Sequence, residues 1–198
     1  ALAINSVGKL YGWGKITTDD NFQFNLPVEA ITWGVGKSYV NVNAGDSFIH
    51  AIDSDYALWG YGLNSVGQLG DSSTVTRSSP VQIGTSSWIT IGGGNNVFYG
   101  ITNTGTNGLQ NVFAWGTNGA GQLGIGDIIS RSSPVQIDTG NWSDVAVGLN
   151  FSYGIKNDGS LYAWGTNAQG QLGIIDLASR SSPTQIGTGD NFSNVDAG

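Results

Sequence analysis

Apolar residues recur along this chain in short alternating runs separated by glycine-rich interruptions. Ser47-Phe-Ile-His-Ala-Ile52, Asn96-Val-Phe-Tyr-Gly-Ile101 and Asn150-Phe-Ser-Tyr-Gly-Ile155 read as half-buried strands. Each follows a glycine (Gly45, Gly94 or Gly148). Before each glycine stand an aromatic and a β-branched residue: Tyr39 and Val42, Trp88 and Ile91, Trp142 and Val145. A fourth such pair, Phe192 and Val195, leads to Gly198, and the glycine intervals are 49, 54 and 50 residues. A turn follows each strand, clearest at Asn157-Asp-Gly159, where residues tolerant of positive φ allow a tight hairpin. A second strand, Ser160–Gly165, comes next, and no segment sustains a helical period. The pattern predicts an all-β chain, one repeat domain over 1–198 with units near 1–45, 46–94, 95–148 and 149–198. Each unit holds three or four short strands.

The second half of each unit repeats by letter as well as by pattern. Ala114-Trp-Gly-Thr-Asn-Gly-Ala-Gly-Gln-Leu-Gly124 returns as Ala163-Trp-Gly-Thr-Asn-Ala-Gln-Gly-Gln-Leu-Gly173, and a looser copy spans Leu58–Gly70. Arg-Ser-Ser-Pro then follows at 77–80, 131–134 and 180–183. A period of about 50 residues marks a stacked or circular array of one supersecondary unit. The longest interval carries its extra residues at Gly105–Gln110, around Thr106 and Asn107, as a hairpin tip would tolerate. The first unit is degraded: it lacks Gly-Gln-Leu-Gly, and Lys15–Leu26 must form a shorter connection. The chain starts at the counterpart of Tyr153–Ile155, so four units in a permuted cut from a longer array are expected.

Packing and turn chemistry account for the repeated residues. Trp59, Trp115 and Trp164 are expected to pack between neighbouring blades, with Leu69, Leu123, Leu172, Trp88 and Trp142 completing the repeat core. The glycines serve turns and close backbone approach. Pro80, Pro134 and Pro183 are expected at strand starts. Arg77, Arg131 and Arg180 are expected to clip one blade to the next through a carboxylate or carbonyl, with Asp71, Asp127 and Asp176 nearby.

Composition narrows the function classes. Charged residues are 11% of the chain against about 25% in an ordinary domain. Yet hydrophobics are 39%, with seven each of Trp, Tyr and Phe, which is enough for a core and unlike a disordered chain. Net charge is −7, and the seven basic residues are scattered, so the clustered basic surface of a nucleic-acid binder is missing. No run of 18 apolar residues spans a membrane. Cysteine is absent, which excludes disulfides and thiolate sites. The lack of any Met marks the chain as processed or as a piece of something longer.

Candidate chemistry is sparse. His50, the single histidine, reads as a strand residue, because one His builds neither a triad nor a His-based metal site. Asp53 and Asp55 read as turn caps; the adjacent Asp19 and Asp20 lack the spaced ligands of a calcium loop. Gly92-Gly-Gly94 has no following Lys-Ser/Thr or helix and is no phosphate loop. Phe98-Tyr99 and Phe22/Phe24 read as core. No catalytic, cofactor or metal residue is assigned. Recognition is expected where the copies differ: in the connection carrying Lys15, Asp19, Asp20 and Phe22, at Thr106 and Asn107, and between Gly70 and Arg77. Open blade edges call for further sequence, a second copy or a neighbouring subunit to cover them.

The series Ala-Trp-Gly-x-Asn-x-x-Gly-Gln-Leu-Gly, Arg-Ser-Ser-Pro, Trp-x-x-Val-x-x-Gly and Asn-Asp-Gly-x-Leu-Tyr-Ala-Trp-Gly resembles the repeat of the regulator of chromosome condensation family. The resemblance implies a seven-bladed β-propeller with four-stranded antiparallel blades, of which this chain supplies four. Where family repeats carry His three residues after the aligned glycine, this chain has Phe48, Val97 and Phe151. That variant resembles bacterial and bacteriophage copies. The expectation is a non-enzymatic module binding a protein partner, structural or interacting, in an extracellular or virion assembly such as a phage surface, tail or capsid. The alternatives implied by the family are a guanine-nucleotide exchange factor and an inhibitor of a secreted enzyme.

Overall fold

The computed structural model describes residues 1–15, 23–29, 36–94, 96–103 and 110–197. Among them the chain forms fifteen strands and no helix. A three-stranded sheet opens it, built from β1 (Leu2–Ile4), β2 (Leu10–Lys15) and β3 (Gln23–Glu29). Three four-stranded sheets follow. The second blade holds β4 (Tyr39–Gly45), β5 (Phe48–Asp53), β6 (Leu58–Gly62) and β7 (Arg77–Gln82). The third holds β8 (Trp88–Gly94), β9 (Val97–Asn103), β10 (Gln110–Gly116) and β11 (Arg131–Gln136). The fourth holds β12 (Trp142–Val147), β13 (Phe151–Lys156), β14 (Leu161–Gly165) and β15 (Arg180–Gln185).

Every sheet is an antiparallel meander of consecutive strands, the blade of a β-propeller. The sheets are offset from the sequence units: the strand that closes one unit at its glycine opens the next sheet. β1 pairs β2 as β13 pairs β14, which places the first residues on the second strand of a blade, as the pattern implies. In the first blade, β2 and β3 stay paired as far as Lys15 and Gln23. Asn103 pairs Gln110, so the extra residues of the longest interval fall between paired strands. Residues 192–197 repeat the β12 pattern but form no strand. Their entry is nonetheless blade-like. Phe192 N–H donates to the Gly159 carbonyl, as Tyr39 does to Gly8 and Trp88 to Tyr56.

The core lies between blades. One cluster joins Phe48, Leu58 and Leu69 of the second blade to Trp88, Phe98 and Trp115 of the third. Another joins Tyr99, Val112 and Leu123 to Trp142 and Trp164 of the fourth. The Trp115 indole N–H donates to the Gln68 carbonyl at 3.0 Å, and Trp164 to that of Gln122 at 2.9 Å. Each bond joins a plate to the Gly-Gln-Leu-Gly turn of the preceding blade, satisfying a buried donor. The last glycine of that turn is fixed by the same contact. A Cβ on Gly70 or Gly124 would lie 2.9 or 2.7 Å from the indole nitrogen, at φ of +80° and +70°. A second fit pairs Trp88 with Gly100 and Trp142 with Gly154, where a Cβ would overlap the indole. The second blade has the smaller Tyr39 and a matching Ala51.

Three expectations need correction. Trp59 is not the counterpart of Trp115 and Trp164. Phe48 pairs Gly62 as Val97 pairs Gly116 and Phe151 pairs Gly165, so the inter-blade position belongs to Tyr61, buried and seven residues before Gln68. Trp59 sits two residues earlier and half-buried; the period-2 pleat keeps both on one face, which disguised the shift. The repeated prolines stand in the middle of β7, β11 and β15, not at their starts. They are accommodated because these are edge strands, beside a register shift in each pairing. The repeated arginines do not clip blade to blade: each pairs with an acid of its own loop.

Candidate interaction surface

Because each blade is an antiparallel meander, its first turn and its third-to-fourth-strand loop emerge at the same end. Hydrogen bonds confirm this across blades: Gln68 Nε2 donates to Asn96 Oδ1 at 3.2 Å, and Gln122 Nε2 to Asn150 Oδ1 at 3.4 Å. The loops are built alike. Buried Asn64, Asn118 and Asn167 accept from the N–H of Leu69, Leu123 and Leu172 at 2.9–3.0 Å. Their amide nitrogens donate outward: Asn64 to the Ser73 and Val75 carbonyls, Asn118 to those of Asp127 and Ile129, and Asn167 to that of Asp176.

An acid–arginine pair closes each loop: Asp71 with Arg77 at 2.5 Å, Asp127 with Arg131, and Asp176 with Arg180 at 2.7 Å. Burial pushes the Asp71 carboxyl up, but hydrogen bonds from Ser73, Arg77 and Asn64 outweigh it and hold the group below its ordinary range. The Ile129 N–H and Arg131 lower Asp127; Arg180 and the Ala178 N–H lower Asp176. The loop also docks on the following blade, Ser72 N–H to Ser132 carbonyl at 2.7 Å and Gly126 N–H to Ser181 carbonyl at 2.8 Å. These loops expose polar side chains such as Ser72, Thr74 and Ser130 and also large aliphatic ones: Val75, Ile128, Ile129 and Leu177 are more than half exposed, as is Leu149 in the turn before β13.

The opposite end carries lysine–aromatic–aspartate clusters. Asp53 accepts from Trp59 Nε1 at 2.9 Å, from the N–H groups of Asp55 and Ala57, and from Lys37, whose ammonium lies 5.2 Å from the Trp59 ring centroid. Asp53 is thus a turn cap, as its spacing implied. The fourth blade reverses the charges at the corresponding position: Lys156 is the strand residue, stacked on Trp142 and Tyr162, and Asp138 is its partner at 3.3 Å.

His50 is fully buried against Phe48, Phe98 and Trp115, with Nε2 3.0 Å from the Leu69 carbonyl and no partner for Nδ1. Burial lowers its pKa to about 4, partly opposed by the Leu69 carbonyl. It takes the place that Tyr99 and Tyr153 hold in the next blades, where the hydroxyls donate to the Gln122 and Gln171 carbonyls. Among the described residues no group of three or more His, Cys, Asp or Glu is placed to hold a metal. Of the expected recognition residues, Lys15 ends β2; Asp19, Asp20, Phe22, Thr106 and Asn107 lie outside the described residues. The loop tips between Gly70 and Arg77, and their counterparts, are where sequence variation and exposure coincide. Leu149 was missed, because the corresponding sequence positions hold Asp46 and Asn95.

The fold and its clasped loops define a repeat propeller with one regular loop face. Residues 111–155 and 158–198 match the regulator of chromosome condensation (RCC1) repeat, and a second model of that repeat matches 142–171. The chain is similar to the RCC1 repeat family over those residues. It is 30% identical over 137 residues to the ultraviolet-B receptor UVR8 of Arabidopsis thaliana, a match covering 65% of this chain and 29% of that protein. Solved structures of the same fold include Prp20p of Saccharomyces cerevisiae, described with its binding to Gsp1p and histones (TM-score 0.80, 20% identity, 99% of this chain and 51% of that one). Human WBSCR16 is another (TM-score 0.77, 22% identity, 99% and 52%). The chain therefore spans about half the length of these structures and under a third of UVR8.

Proposed function

We propose that this propeller is a non-catalytic protein-interaction module that binds through its loop face, within a larger extracellular or virion assembly. The observation that carries the reading is the division of labour within each repeat. The shared residues are consumed by folding, with indoles bonded to carbonyls, Asn cages and internal ion pairs. The residues the copies do not share stand exposed on loops those cages hold in place. Rigid scaffolds displaying variable loops are a common basis for binding. Relatives with the fold include Prp20p, whose structure is also known bound to Kap60. The assembly context is supported by the low charge, the abundance of Gly, Ser, Thr and Asn, and the Phe48, Val97 and Phe151 variant of the repeat.

Mass spectrometry of purified virions and of the surface fraction of the source cells tests the assembly, with the chain expected in one of them. Its confinement to soluble intracellular fractions overturns that part. Acceleration of nucleotide release from a small GTPase by the purified protein would replace the non-catalytic reading.

A further inference from the structure

The turns after β1, β5 and β13 share one frame, at the end opposite the loops. The N–H groups of Asn5, Asp53 and Lys156 donate to the carbonyls of Lys9, Ala57 and Ser160. Those of Gly8, Tyr56 and Gly159 donate back to the carbonyls of Asn5, Asp53 and Lys156. The carbonyls of Gly8, Tyr56 and Gly159 then receive the N–H of Tyr39, Trp88 and Phe192, which begins the next blade. This frame holds its third residue in the left-handed region, with φ of +81° at Gly8, +82° at Gly159 and +62° at Tyr56. Glycine suits such a place and a bulky side chain is strained there. The other non-glycine residues with positive φ among those described are Ser47, Ser72 and Asn96, all small and polar. Room is short as well: a Cβ on Gly8 or Gly159 would lie 2.7 Å from Ser38 or 3.0 Å from Asn191. Ser87, just before Trp88, is their counterpart. Burial does not offset the strain at Tyr56, which is 54% exposed.

The strained side chain walls a cleft. Tyr56, Ser87, Trp88 and Ile89 line a space of about 390 Å³ between this turn and the strand that opens the third blade. Small-molecule sites usually hold roughly 300–1,000 Å³, and strained residues gather at such sites. We infer that this cleft binds a neutral saccharide, with one sugar ring stacked by its C–H face on Tyr56. A pyranose is apolar on its faces and polar around its edge. The cleft has the same division: the Tyr56 ring and the exposed Ile89 form walls, and the Ser87 hydroxyl lies between them. Exposed Thr85 and Ser86 adjoin it in sequence, and exposed Asp55 immediately precedes Tyr56, a carboxylate able to accept from two adjacent sugar hydroxyls. Lys37 is engaged by Asp53 and lies 3.7 Å from Asp55, so it is already matched by acids, and an acidic sugar gains little here. Four lining residues make a short cleft, suited to a compact ring rather than to an extended peptide. The site is separate from the loop face and adds a ligand to the protein contact proposed there.

Saturation-transfer NMR of the 198-residue protein with cellobiose, maltose, mannobiose and N,N′-diacetylchitobiose tests the site, with a proline-rich peptide as a separate probe. The expected result is transfer to the ring C–H protons of at least one disaccharide. Tyr56→Gly installs the residue of the first and fourth blades. It should melt no lower than the parent protein, since the strain goes with the side chain, yet bind that disaccharide at least tenfold more weakly. Ile129→Glu, on the loop face, should bind it as the parent does. Transfer to none of the four sugars overturns the inference, as does binding that survives Tyr56→Gly. A clearly lower melting temperature for Tyr56→Gly would assign the tyrosine to folding and overturn it as well. So would binding lost in Ile129→Glu, or the peptide binding at Tyr56 where no sugar does. The loop-face reading stands or falls apart from these results, because neither Tyr56 nor the cleft belongs to it.

Discussion

At the level of single residues, the repeated tryptophans act as much through their nitrogen as through their bulk. Trp115 fills the seam between the second and third blades and supplies the donor that the Gln68 carbonyl accepts. Trp115→Ala is expected to cost about 3–5 kcal/mol; a melting curve within a degree of the parent protein would refute its place in the seam. His50 makes the same seam acid-sensitive. Its folded pKa near 4 lies below the unfolded value of 6.5. The neutral form is therefore the one the fold favours. Its contribution is complete above pH 6.5 and is lost as pH falls toward 4, by about 3 kcal/mol in all. His50→Tyr, which installs the residue of the neighbouring blades, should remove this share of the acid destabilisation. Stability measured at pH 7 and pH 4 on both proteins checks it, and equal losses would contradict the buried neutral imidazole. The plates were legible in the sequence because letters repeat. The two-residue slip at Trp59 was not, since alternation preserves the face and only strand pairing reveals the count.

At the level of elements, the loop between third and fourth strands is a small structure in its own right, centred on a buried asparagine. Asn118→Ala would strand the Leu123 N–H and the Asp127 and Ile129 carbonyls, at about 1–3 kcal/mol for such unsatisfied groups. It should also raise amide exchange across 118–130. Arg180→Ala, at a solvent-exposed pair, should leave the melting curve nearly unmoved, as such pairs contribute little. Comparable losses for the two variants would contradict the amide cage as the main clasp of these loops. Strand number and turn chemistry could be read from alternation and from Asn157-Asp-Gly159. The closure of each arginine within its own loop could not. Spacing to Asp127 and Asp176 was visible, but direction, within a blade or between blades, depends on how far the loop folds back on itself.

At the level of the whole molecule, offset sheets and inter-blade cores make neighbouring blades mutually dependent, with the loops gathered at one end. This order follows from the meander. The repeat period announced it, and the offset between unit and sheet emerged only from the pairing. The proposed interaction face was half legible: variation between Gly70 and Arg77 pointed to the loops, while exposure added Leu149 and the aliphatic tips. The central claim is that shared residues fold the propeller and the loop tips are left to bind. A photo-reactive amino acid placed at Ile129, and separately at Tyr56 on the opposite end, tests that claim in the native assembly. The expected result is a protein adduct at Ile129 and none at Tyr56. An adduct at Tyr56 alone would contradict it.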